Sequence, residues 1–196
     1  MIHEPMTLAT DYLLGVVAMV CAVKLWRSYR MWALAFAFTA AASFFGGTYH
    51  GLTPVAPLWK GTVLSVGLAS FFLLAGYSRR FAAFAVVKLI VYSSWMIAHD
   101  DFVWVIADYG TTLVLIGIAT ALRRDRATPW ILGSIVVSVA GALVQMSGVR
   151  LHAHFNHNDL YHVIQTVAVV MLYRAGRELA GGAGALESSD ARGRED

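Results

Sequence analysis

Histidine and aspartate side chains are concentrated in one part of an otherwise apolar chain, and these residue types can bind a metal ion or transfer protons. Six of the seven histidines fall near the same ends of the hydrophobic segments, with most of the acids outside the charged loops. An ionisable group inside a membrane span is costly and by default indicates function. This polar cluster is therefore the candidate site. Its members are Asp11, His50, His99, Asp100, Asp101, Asp108, His152, His154, His157, Asp159 and His162.

Helical spacing decides which of these side chains can converge, because successive residues are about 100° apart around a helix. Ser43 and His50 are seven residues apart and share one face. Asn158, His162 and Gln165 form an i, i+4, i+7 stripe, which we expect to face the interior of a helix bundle. The spacing thus brings hydroxyl, amide and imidazole groups toward one interior region.

The composition indicates how these residues are positioned. Of 196 residues, 58% are hydrophobic and 14% are charged, whereas soluble domains are about a quarter charged. A soluble enzyme domain, a disordered chain and a nucleic-acid-binding protein are thereby excluded. A hydrocarbon core about 30 Å thick requires about 20 apolar residues per helix. The chain offers seven such segments, at 8–26, 31–50, 57–78, 81–98, 101–122, 129–147 and 158–175.

The predicted fold is all-α, a polytopic membrane protein with seven transmembrane helices. Residues 1–178 form one transmembrane domain, and the Gly-, Ser- and charge-rich residues 179–196 form a disordered cytoplasmic tail. Most basic residues lie in or beside alternate loops, which by the positive-inside rule predicts an inner-membrane protein with the N-terminus outside and the C-terminus in the cytoplasm. These residues are Lys24, Arg27, Arg30, Arg79, Arg80, Arg123, Arg124, Arg126, Arg174 and Arg177.

Lys88 stands apart because it lies near the middle of the fourth segment. Asp108 lies about seven residues inside the next segment, so the two differ in depth by about one helical turn. A lysine side chain is long enough to cover that distance. We predict a structural ion pair between them, which would compete with a catalytic role for Asp108.

Two short stretches carry a resemblance to a known family. They are Ser43-Phe-Phe-Gly-Gly-Thr-Tyr-His50 in the second segment and His157-Asn-Asp-Leu-Tyr-His162-Val-Ile-Gln165 in the seventh. In a seven-helix chain they resemble the superfamily of alkaline ceramidases, adiponectin-type receptors and their bacterial relatives. The resemblance implies a zinc ion held by three histidines inside the bundle, where it activates water to hydrolyse a lipid amide.

Carried onto this sequence, the resemblance implies His50, His157 and His162 as zinc ligands, with His154 or His99 as alternatives for the third. The family's aspartate on helix three is absent here, so its role passes to Asp11, Asp100, Asp101 or Asp108. Asp11 or Asp101 would act as general base or orient an imidazole. Ser43 or Thr48 would hydrogen-bond the developing oxyanion.

The resulting hypothesis is a zinc-dependent membrane hydrolase that acts on a lipid within the outer half of the bundle, with membrane lipids as its partners. One alternative is a transporter or sensor that uses the polar cluster for protons or a polar ligand. Another is a b-type haem protein with His50 and His162 as axial ligands. A third is a scaffold whose polar cluster binds a partner. The sequence leaves the substrate and the oligomeric state open.

Overall fold

The computed structural model describes residues 2–152 and 155–192, with side chains through residue 182, and this part of the chain is all-helical and contains no β-strand. An isolated bridge between His152 and Phe155 shapes the loop before the last helix. A 3-10 turn at Arg79–Phe81 precedes the fourth helix. The α-helices are α1 (Pro5–Leu25), α2 (Arg30–Gly51), α3 (Ala56–Tyr77), α4 (Ala82–Ala98), α5 (Phe102–Arg123), α6 (Thr128–Ser147) and α7 (His157–Arg192).

Proline and glycine mark several helix ends. Pro5, Pro57 and Pro129 occupy the first turns of α1, α3 and α6, where a missing N–H costs nothing. Gly148 follows α6 with a φ of 65°, a left-handed conformation that terminates a helix readily when no Cβ is present. For the first six helices, the predicted segments and the observed ends differ by at most three residues. The seven predicted helices are confirmed.

The helices α1–α6, with the 3-10 turn at Arg79–Phe81 counted into α4, are each long and apolar enough to cross a membrane. The seventh helix begins with polar residues and runs to Arg192, through most of the segment 179–196 that the sequence predicts as a disordered tail. The boundary between domain and tail therefore stays a prediction. The orientation of the bundle relative to the membrane likewise stays a prediction.

The chain closes into a bundle because its first and last helices meet. α1 packs against α2 and α7, α2 against α3, and α6 against α7. α1 and α2 approach closely at Gly47, where an added Cβ would lie 2.9 Å from the Cβ of Asp11. α4 lies outermost and packs mainly on α3, with only Ala85, Tyr92 and Met96 buried along its length.

The two ends of the bundle differ in chemistry. We call the end with the arginine-bearing loops the basic end and the opposite one the polar end. The interior of the basic end is closed by Leu25, Trp32, Leu74 and Ile131, all with 0% exposure. Tyr29, in the loop between α1 and α2, donates a 2.6 Å hydrogen bond to the carbonyl of Gly76, and burial raises the pKa of its hydroxyl to about 12.

Candidate functional site

A cavity of ≈ 420 Å³ reaches from the polar end toward the middle of the bundle. Every helix except α4 contributes to its wall. Among the predicted site residues, Asp11, Ser43, His50 and His162 all line it. Its deeper wall is mainly apolar and includes Leu14, Val66, Leu113, Val139 and Val169. The cavity therefore joins an ionisable region to a hydrocarbon-like one.

The polar region centres on a pair between α1 and α7. Nε2 of His162 lies 3.2 Å from Oδ1 of Asp11, and both side chains are buried. Nδ1 of His162 lies 3.3 Å from the hydroxyl of Thr10. Both ring nitrogens of His162 therefore have partners within the chain. Because both partners are on α1, this pair also ties α1 to α7.

The hydrogen bonds of Thr10 restrict the protonation of this pair. The Thr10 hydroxyl lies 3.0 Å from the carbonyl of Met6 and 3.2 Å from that of Thr7, either of which takes its single hydrogen. Thr10 then accepts from Nδ1–H of His162. One further proton is left to bridge Nε2 and the Asp11 carboxyl group. The pair is thus neutral as a whole, which suits a buried site.

A second network of hydrogen bonds caps the first turn of α7, close to the pair of Asp11 and His162. Asp159 accepts the backbone N–H of Asn156 at 2.7 Å and the hydroxyl of Thr7 at 2.8 Å. Asn156 in turn accepts the N–H of Asp159 at 3.4 Å and that of Asn158 at 2.7 Å. This reciprocal arrangement is a helix-capping box. Asp159 therefore has a structural role in starting α7 and fixing it against α1.

The predicted stripe on α7 faces the cavity as expected. Asn158, His162 and Gln165 all line the cavity. Nε2 of Gln145 on α6 donates to Oδ1 of Asn158 at 2.7 Å, and Gln165 forms 3.3 Å hydrogen bonds with the side chain and carbonyl of Ser138. Oε1 of Gln145 is buried and has no partner among the described residues. It is an acceptor available to a ligand.

His50 and Ser43 on α2 complete the polar wall. Nδ1 of His50 lies 4.0 Å from a carboxylate oxygen of Glu4, and its ring packs edge-on against Trp59. Ser43 is 5% exposed and lies on the same cavity wall. Thr48, the alternative hydroxyl, is instead bonded to Tyr12 and to the carbonyl of Phe44. Of the two hydroxyl residues predicted for the site, Ser43 therefore lines the cavity and Thr48 does not.

Several predicted residues lie elsewhere. Asp101 is exposed at the N-cap position of α5 and makes no capping hydrogen bond with its side chain, and Asp100 forms an ion pair with Lys60 at 2.8 Å. His99 stacks on Trp95 with ring centroids 3.8 Å apart. His157 begins α7 outside the described cavity wall. His154 lies outside the described residues.

Some site residues were missed from sequence. Thr7 and Thr10 contact Asp159 and His162, and with Asp11 they form an i, i+3, i+4 pattern on α1 that could have indicated a shared face. The aromatic residues of the cavity wall gave no such signal, because tryptophan and tyrosine are common at both ends of membrane spans. These aromatic residues are Trp59, Phe102, Tyr109 and Tyr161.

The described residues do not fit the zinc site that the resemblance implies. Among residues 2–152 and 155–192, no three His, Cys, Asp or Glu side chains are grouped to hold a metal ion. Both ring nitrogens of His162 are bonded to Thr10 and Asp11, which leaves neither for a metal. The same bonds oppose an axial haem contact. We therefore derive no chemistry through either cofactor.

The predicted ion pair of Lys88 and Asp108 is confirmed. The ammonium of Lys88 contacts Oδ1 of Asp108 and also donates to the hydroxyl of Ser70 at 2.9 Å. Ser70 is in turn 2.9 Å from the hydroxyl of Thr112. This network joins α3, α4 and α5, and none of its members lines the described cavity. Asp108 is therefore a structural residue rather than part of the candidate site.

Comparison with known proteins identifies a family for this chain but does not indicate an activity. No curated protein and no solved structure matches the chain. The sequence does match a family of unknown function, DUF6962, over residues 6–181, which includes all the residues of the cavity wall. The chain belongs to this family of unknown function.

Proposed function

We propose that this chain is an integral membrane protein that binds a lipid-like amphiphile in its interhelical cavity. The proposal is supported by the polarity of the cavity wall, which changes from Asp11 and His162 near one end to Leu113 and Val169 nearer the middle. A polar head would lie beside the first pair and a hydrocarbon chain along the second. The volume of ≈ 420 Å³ is within the usual range of small-molecule sites.

The charges of the wall favour a ligand whose head is not anionic. No lysine or arginine is among the described side chains that line the cavity, and the buried pair of Asp11 and His162 is neutral as a whole. A phosphate or carboxylate head would lack a cation to pair with. The free acceptor Oε1 of Gln145 requires a donor, such as a hydroxyl or an amide N–H. We propose a single-chain amphiphile with a hydroxyl- or amide-bearing head.

The closed basic end favours a protein that binds the amphiphile over one that transports it through the bundle. Passage through the bundle would require a polar route between its two ends. The interior of the basic end is instead filled by fully buried side chains, among them Leu25, Trp32 and Leu74. The proposal is therefore a binding or sensing role at the polar end.

We propose that the bundle spans the membrane with the polar end outside. On α3, Trp59 and Tyr77 are 18 residues apart, a rise of about 27 Å, which matches a hydrocarbon core. At the basic end, Arg30 and Arg174 pack over the rings of Trp26 and Trp130, as expected at an interface. The positive-inside rule puts this end in the cytoplasm.

Thiol labelling tests this orientation. In a Cys21→Ala background, which removes the one native cysteine, Thr53→Cys and Ser28→Cys place a single thiol in an exposed loop at the polar or the basic end. A membrane-impermeant maleimide added to intact cells should label the Thr53→Cys variant, and the Ser28→Cys variant only after permeabilisation. The reverse pattern would invert the proposed orientation.

Photolabelling tests ligand binding. The probe is a monoacylglycerol with a diazirine near the end of its acyl chain, added to purified protein in lipid nanodiscs. We expect saturable labelling of cavity residues, and weaker labelling by a fatty-acid probe of the same chain. Ala142→Phe, which fills the cavity wall, should weaken probe binding about tenfold, equivalent to about 1.4 kcal/mol.

The matched control is Ala140→Phe, which makes the same change on the exposed face of the same helix. It should bind the probe as the wild-type protein does. Absence of saturable labelling in the wild-type protein would refute the proposal. Equal losses in the two variants would show that labelling reports the lipid-facing surface rather than the cavity.

Hydrolysis of the bound amphiphile is a second candidate, favoured by the buried pair of Asp11 and His162. A carboxyl group and an imidazole that share a proton can act in general acid–base catalysis. Ser43 on the same wall offers a hydrogen-bond donor. Release of a fluorophore from a lipid amide or ester by the purified protein would support this role, and it should be abolished by Asp11→Asn.

A further inference from the structure

We infer that the cavity opens sideways to the lipid between α5 and α6, and that the amphiphile enters and leaves through this opening. The inference rests on the proposed binding function. We call the opening the side gap and define it by four residues of the cavity wall, two on each helix: Ile106, Gly110, Val139 and Leu143.

The side gap arises because α5 and α6 diverge. Near the basic end the two helices are in contact, since a Cβ at Gly117 would lie 2.9 Å from Cδ1 of Ile135. Two turns closer to the polar end, a Cβ at Gly110 would meet no atom within 4 Å. The space beside Gly110 is therefore open, and Gly110 lines the cavity.

Exposure shows that this space reaches the surface of the bundle. Val139 and Leu143 on α6 line the cavity and are nevertheless 52% and 64% exposed. None of the wall residues on the other helices is exposed to that extent. Leu14 on α1, Ser43 on α2 and Val169 on α7 are each at most 6% exposed. Among these four helices, α6 is therefore the one whose described wall residues are also strongly exposed at the surface of the bundle.

The route along the bundle axis is covered by aromatic rings. Phe102 lies between Trp59 and Tyr161, with ring centroids 6.1 Å and 6.2 Å away. All three rings line the cavity near its polar end. A ligand from water would have to displace them, whereas a ligand from the bilayer would not.

The depth of the side gap suits a hydrocarbon chain. Gly110 is eight residues into α5, about 12 Å from the start of that helix. The outer surface next to the gap is apolar, with Val114 and Val136 57% and 68% exposed. An amphiphile already in the membrane would therefore meet the opening with its chain, and its head would follow toward Asp11 and His162.

Exchange kinetics of the diazirine monoacylglycerol test the inference. Gly110→Trp and Val139→Trp narrow the side gap from α5 and from α6. Each has a control on the lipid-facing surface of its own helix, Val114→Trp and Val136→Trp. We expect both gap variants to slow association and dissociation about tenfold, a barrier increase of about 1.4 kcal/mol. The controls should exchange at the wild-type rate.

The outcomes separate this inference from the proposed function. If the wild-type protein shows no saturable labelling, the binding function itself fails. If it binds the probe and both gap variants exchange at the wild-type rate, the side gap is refuted while binding stands. A loss of affinity with an unchanged dissociation rate would equally refute it, because the residues would then only contact the ligand. Slowing by both gap variants, Gly110→Trp on α5 and Val139→Trp on α6, supports the side gap.

Discussion

Replacing Lys88 by methionine is expected to destabilise the folded protein by about 3–5 kcal/mol, because it leaves Asp108 buried without its counter-charge. Oδ2 of Asp108 already has no partner among the described residues, so the variant also removes the lysine that contacts Oδ1. For a chain of this size the loss corresponds to a decrease in Tm of about 10 °C. Thermal unfolding of purified protein in detergent measures it.

Two further variants identify the cause. Lys24→Met makes the same change at an exposed position on α1 and should alter the free energy of unfolding by less than about 0.5 kcal/mol. The double variant Lys88→Met, Asp108→Leu removes both charges and should recover most of the lost stability. If the double variant is as unstable as Lys88→Met alone, the ion pair is not what holds α4 to α3 and α5.

The helices could be predicted because each depends on local information. A span is recognised by its length of apolar residues, and its ends by proline, glycine or charge. The pair of Lys88 and Asp108 was predictable for the same reason, since α4 and α5 are consecutive and differ in depth by about one turn. The extent of α7 beyond residue 178 was not, because its polar tail has no apolar periodicity.

The site could be predicted only in part. Sequence position gives the depth of a residue along its helix. It correctly placed Asp11, His50 and His162 in one group, and all three line the cavity. Depth does not reveal which helices are neighbours. Asp11 and Asp101 were equal candidates from sequence, and only the contact of α1 with α7 places Asp11 beside His162. The order of helices around the bundle depends on non-local packing.

The different positions of Asp11 and Asp101 predict opposite results when each is replaced by asparagine. Asp11→Asn should weaken binding of the diazirine monoacylglycerol by about tenfold or more, because it removes the carboxyl group that shares a proton with His162 at the head of the cavity. Asp101→Asn should bind the probe like the wild-type protein, since Asp101 is exposed and lies outside the described cavity wall. Saturation photolabelling in nanodiscs measures both affinities.

A double-variant cycle then decides whether Asp11 and His162 act as one unit. His162→Gln alone should reduce affinity about as much as Asp11→Asn, since either change removes one of the two groups that share the bridging proton. The two changes together should cost little more than one, because neither residue retains its role without the other. Independent, additive losses would mean that each contacts the ligand separately. An equal loss for Asp101→Asn would place the head of the ligand outside the cavity, against both the pair and the proposed function.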